Sequence, residues 1–123
     1  MRRLFLFGIL LTVGCAPGTE APHSANTSPD YFERKLQCFQ AAQQATKQRF
    51  GKDEFSGFTE VIYSPKRQSC VVKVRDHLKD VAIYSVEDLL TGETLWVRTC
   101  AIKEQSCSAE AGPMQDAVIK ELR

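Results

Sequence analysis

The feature that most constrains this chain is a change of hydrophobic period at Gly51. Before it, Phe32, Leu36, Phe39, Thr46 and Phe50 recur at helical spacing. After it, apolar residues alternate in short runs bounded by turn-forming residues. Ser28-Pro29-Asp30 reads as an N-cap, a proline at the first helical position and an acidic first turn. Gly51 supplies the stop, so one helix of about six turns is predicted. Beyond it we read strands over 58–63, 69–75, 81–87 and 94–102. They are joined by Ser64-Pro65-Lys66-Arg67-Gln68, by a connection containing His77 to Lys79, and by Leu90-Thr91-Gly92-Glu93. Gly112-Pro113 opens a short terminal helix in which Val118, Ile119 and Leu122 can dock. The expected fold class is therefore α+β: a four-stranded antiparallel meander with a long N-terminal helix and a short C-terminal one.

Placing turns at 75–80 and 90–93 sets Val72 opposite Ile83, and Ile83 opposite Cys100. One sheet face then carries Cys70, Val72, Val74, Val81, Ile83, Trp96, Cys100 and Ile102, and is assigned to the helices and the core. The other face carries Val71, Tyr84, Val86, Leu95 and Val97 beside Lys73 and Arg75. Five sizeable apolar side chains on a face that should meet water make it the candidate partner-binding surface. Two other arrangements would remove it. The C-terminal segment or the 51–58 loop could cover that face, or a one-residue slip could exchange the two faces.

The 123-residue chain has a net charge of +1, with 43% hydrophobic and 25% charged residues. That is one small globular domain, neither disordered nor multi-spanning. Without a basic excess, nucleic acid is not an expected partner. Five cysteines are present. Leaving aside Cys15, the remaining Cys38, Cys70, Cys100 and Cys107 are an even set that allows three pairings. Facing parity favours a helix-to-sheet bridge, Cys38–Cys70, with Cys100–Cys107 closing the 101–106 connection. No close cysteine pair has the spacing of a zinc site or a redox motif, and no metal or cofactor is expected.

The N-terminus has its own character. Met1-Arg2-Arg3 precedes the run Leu4 to Val13, nearly all apolar. Ten residues of helix span about 15 Å, half of a roughly 30 Å hydrocarbon core, which suits a signal peptide rather than a membrane span. Leu11-Thr12-Val13-Gly14-Cys15 resembles the lipobox of bacterial lipoproteins. The resemblance implies cleavage before Cys15, acylation of that cysteine and a chain anchored in the membrane by its lipid. Ala16 after the cysteine implies sorting to the outer membrane, facing the periplasm, if the host is Gram-negative. The domain organisation follows: a signal peptide over 1–14, the acylated cysteine and a tether over 15–29, and one α+β domain over 30–123. Residues 16–29 hold three prolines and no large apolar side chain, and read as a flexible tether of about 20 Å reach. Tyr63-Ser64-Pro65 leading to Cys70, with Asp88-Leu89-Leu90-Thr91-Gly92 and Cys100 followed by Cys107, resembles small uncharacterised exported bacterial proteins and implies no activity.

Chemistry-bearing motifs are sparse. Asp76-His77-Leu78-Lys79-Asp80 places an imidazole between two carboxylates, the makings of a general base or a metal ligand, or simply a solvated turn. Glu87-Asp88 is a carboxylate pair leading into a tight turn. There is no G-x-S-x-G, Walker loop or metalloprotease helix. Three readings result: a lipid-anchored, non-enzymatic envelope protein that binds another protein; an inhibitor or ligand-binding module; and a hydrolase using His77 with Asp76 or Asp80.

Overall fold

The computed structural model describes residues 29–123. The expected signal peptide, the lipobox-like segment with Cys15 and the expected tether up to residue 28 lie outside the described residues. Helix α1 runs Pro29–Arg49, followed by strands β1 Gly57–Ser64, β2 Ser69–Leu78, β3 Val81–Asp88 and β4 Thr94–Ala101, and by helix α2 Gln105–Leu122. The strands form one antiparallel sheet in the order β1-β2-β3-β4, the meander expected from the sequence. The helices lie on opposite faces, α1 over β1 and β2, and α2 mainly over β3 and β4.

Helix α1 starts with Pro29, carries Asp30 in its first turn, and is followed by Gly51 at φ 60°. Its buried side is narrower and smaller than its apolar residues suggested. Cys38 and Ala42 are buried, with Ala41, Ala45 and Thr46 half-buried, so small side chains let the helix sit close on Val72 and Val74. Tyr31 packs edge-on to Tyr63 with ring centroids 5.8 Å apart, and Phe50 meets Phe58 at 5.3 Å. Phe32, Leu36 and Phe39, which the periodicity assigns to the core, are exposed.

Two strand registers differ from expectation. Strand β2 runs on through Asp76 and His77 to Leu78, turning over Lys79 and Asp80 alone, so Val72 lies opposite Glu87 instead of Ile83. Lys79 takes φ 52° to make this turn. Between β3 and β4 the slip is a single residue, and Ile83 faces Thr99 rather than Cys100. A one-residue slip moves every side chain of a strand to the other face. Cys100 and Trp96 therefore lie on the α2 side, whereas Val97 lies on the α1 side.

Helix α2 is 18 residues long and begins at Gln105, not at Gly112. Cys107, Ala111, Gln115 and Ile119 form its buried stripe at four-residue intervals. Gly112 and Pro113 lie inside it, against the helix-start reading. The Cys100–Cys107 disulfide ties the first turn of α2 to β4, and Cys38–Cys70 ties α1 to β2, with Cα separations of 5.7 and 5.3 Å. At its far end α2 is held by Ser64 Oγ, which donates to the Leu122 carbonyl at 2.6 Å, and by an Arg123–Glu60 ion pair.

Candidate functional site

The sheet face proposed from the sequence as a partner surface is the floor of the α2 interface. Val71 and Val86 are fully buried and pack with Ile62 against Ile119, Val118 and Leu122. Tyr84 lies under the N-terminal half of α2 beside Ala111, and Leu95 packs at the edge of the Val71–Val86 cluster. Val97 alone of the five is exposed, and the register places it on the opposite face. The physical reason is that α2 lies along this face, its C-terminal half covering Val71 and Val86. The helix is about five turns long, and its turns before Gly112 add Cys107 and Ala111 over Tyr84.

The Asp76–His77–Asp80 group is separated as well. Consecutive residues of β2 point to opposite faces. Asp76 accepts a hydrogen bond from Ser56 Oγ at 2.9 Å, whereas the His77 ring lies on the other side of the sheet. There the Arg75 guanidinium Nε donates to His77 Nε2 at 3.1 Å, and the ring stacks on Phe55 with centroids 5.9 Å apart. Asp80 occupies the exposed turn. No hydrogen bond links either carboxylate to the imidazole, so the base-and-orienter geometry a hydrolase needs is not assembled here. Residues 53–56 instead fasten the loop to β2. The His77 backbone N–H donates to Ser56 Oγ at 2.9 Å, and Asp53 lies 2.7 Å from the same hydroxyl. Asp53 is held below the ordinary carboxylate range, chiefly by the Phe55 backbone N–H and then by Ser56.

Glu87 and Asp88 also diverge. Glu87 receives two hydrogen bonds from Arg49, at 2.6 and 3.2 Å, linking the C-terminal end of α1 to β3. Burial pushes the Glu87 carboxyl up, but Arg49 and Ser85 outweigh it and hold the group below its usual range. Asp88 is 1% exposed and accepts from Ser69 Oγ at 2.6 Å, Arg67 Nε at 3.1 Å, and the backbone N–H groups of Leu90 and Thr91 at 3.1 Å each. Here too burial raises the carboxyl, and the donors, led by Ser69, bring it lower. Asp88 organises the β3–β4 turn and joins it to the β1–β2 turn; it is not half of a catalytic pair.

What the sequence did not flag is an apolar stripe on the outside of α1. Phe32, Leu36 and Phe39 are 71%, 48% and 54% exposed, and their i, i+4, i+7 spacing puts them on one flank of the helix. The periodicity was legible, but its direction was not, because Cys38 and Ala42 are the residues that the disulfide and the sheet draw inward. Among the described residues no group of three or more His, Cys, Asp or Glu side chains is placed to hold a metal ion. No helix among them is long and apolar enough to cross a membrane. No protein-family model matches this chain, nor does any curated protein or solved structure.

Proposed function

We propose that the protein is a lipid-anchored component of the cell envelope that binds another protein without catalysing a reaction, with the outer flank of α1 as its docking surface. The anchor is supported by the charged, apolar and Gly14-Cys15 sequence at the N-terminus, and export by two disulfides of the kind that persist in oxidising compartments. The observation that carries the binding reading is the exposure of Phe32, Leu36 and Phe39 together. Three anchors at i, i+4 and i+7 are the pattern of a helix seated in an apolar groove of a partner. They are too few for a flat interface, which takes about 20–30 residues a side. A partner with such a groove is therefore favoured over self-association through this stripe.

The test begins with the intact mass of the membrane-extracted protein, before and after reduction and alkylation. Acylation at Cys15 with the other four cysteines oxidised is expected; an unmodified Cys15 ends the anchored reading. A photocrosslinking residue is then placed at position 39, with a control at Lys120 on α2. Capture of one protein at position 39, lost on Leu36→Asp while both disulfides stay closed, is the expected result. Crosslinks to lipid alone, or a product that Leu36→Asp leaves unchanged, would remove the stripe as a protein-docking surface.

A further inference from the structure

We infer that the pocket between the first turn of α2 and the end of the β2–β3 hairpin binds a small oxyanion, a phosphate or carboxylate group. This stands apart from the α1 docking reading and uses the opposite face of the sheet. The cavity has a volume of about 250 Å³. At roughly 30 Å³ for each water displaced, that is room for a phosphate or carboxylate with a short organic body. Its floor is Arg75, His77 and Tyr84, side by side on the α2 face of β2 and β3, and its wall includes Gln105 and Ser108 from the start of α2. No Asp or Glu side chain lines it.

Three observations point to an anion. First, Arg75 makes no ion pair among the described residues. Its Nε donates to His77 Nε2 at 3.1 Å, which orients the guanidinium and leaves the terminal nitrogens for a ligand. Second, Tyr84 is only 9% exposed, and its hydroxyl makes no hydrogen bond within the described residues. The ring is packed, while the hydroxyl is not a buried orphan and reaches the water of the pocket. Here the side chain lines the pocket, so its donor is available to what enters. Third, α2 begins there with no side-chain cap at Glu104 and no acidic residue in its first turn. The backbone N–H groups at the start of an 18-residue helix give that end a positive potential, which the Glu104 carboxylate at the N-cap position reduces without forming a capping hydrogen bond. Arginine, tyrosine hydroxyl and helix terminus together form a donor set that an oxyanion fits and a cation does not. Ala82 and Ile102 offer an apolar patch for a short organic group.

The test is calorimetric titration of the full-length protein in detergent with inorganic phosphate and with acetate, at constant ionic strength. Saturable binding of at least one is expected. Tyr84→Phe keeps the ring in its packed position and removes only the hydroxyl, and should weaken binding about fivefold, the equivalent of one ordinary hydrogen bond. Arg75→Gln should weaken it at least tenfold, whereas Arg34→Gln, distant on α1, should leave it unchanged. If Arg75→Gln proves unstable, Tyr84→Phe decides. Absence of saturable binding by either anion, or binding that Tyr84→Phe and Arg75→Gln both leave intact, overturns the site. Displacement of bound phosphate by phosphatidylglycerol vesicles, but not by phosphatidylcholine vesicles, would assign the natural group to a lipid headgroup; failure to displace it assigns a free anion.

Discussion

Asp88 is the residue on which most local order depends. Its carboxylate collects two backbone N–H groups, a serine hydroxyl and a guanidinium while almost fully out of water. Removing such an acceptor strands several donors, and Asp88→Ala should destabilise the domain by roughly 2–4 kcal/mol in chemical denaturation. Asp88→Asn keeps one oxygen and should cost less. The same residue sets a pH dependence. A carboxyl held lower in the folded than in the unfolded chain contributes stability that is present above the unfolded value, about 4, and is lost as pH falls through the folded one. Asp88 and Glu87 both act in this direction. Denaturation midpoints should therefore be level from about pH 7 to 5 and fall steeply below 4, with a shallower fall in Asp88→Asn. Equal slopes in the two proteins would show that the acid sensitivity arises elsewhere.

At the scale of elements, the sequence was most readable where one signal dominated. Proline and glycine bracketed α1, and turn residues bracketed the strands, so element order and nearly every boundary could be read directly. Register could not, because it depends on which residues close a turn. Lys79 carries no glycine-like signature of the positive φ it adopts, and with β2 extended by three residues the cross-strand partners moved. Strand β4 then slipped by one, and its faces exchanged. The start of α2 was hidden for a different reason. Its first turns bury a cysteine and an alanine rather than large apolar residues, so the helical stripe Cys107–Ala111–Gln115–Ile119 has no conspicuous hydrophobic period. The candidate partner face failed because α2 docks on it, the unforeseen first turns covering Tyr84 and the C-terminal half covering Val71 and Val86. The interior Gly112 remains a weak point of this helix, as glycine costs about 0.5–1 kcal/mol relative to alanine in a helix interior. A Cβ built there meets nothing within 4 Å. Gly112→Ala should raise stability by about that amount, measured as a higher denaturation midpoint with an unchanged slope; a lower midpoint would mean that the helix needs glycine beside Pro113.

Across the whole molecule, two helices clamp one sheet from opposite sides, and each clamp is a disulfide. Cys38–Cys70 spans 32 positions of chain and Cys100–Cys107 spans 7. Loop-closure entropy then assigns them about 3.5 and 2.5 kcal/mol. Replacing Cys38 and Cys70 by alanine should destabilise the domain more than replacing Cys100 and Cys107, by about 1 kcal/mol. The reverse order would mean that holding the N-terminal turn of α2 matters more than shortening the unfolded chain. The meander itself is built from neighbours in sequence, and its contacts can form as the chain lengthens. The closing contacts are of another kind: Ser64 to Leu122 and Glu60 to Arg123 join the first strand to the last residues. Chains are made from the N-terminus onward, so α1 and all four strands exist before the helix that covers Val71, Tyr84 and Val86. A chain cut before residue 105 therefore lacks the side chains that cover Val71, Tyr84 and Val86 in the folded domain.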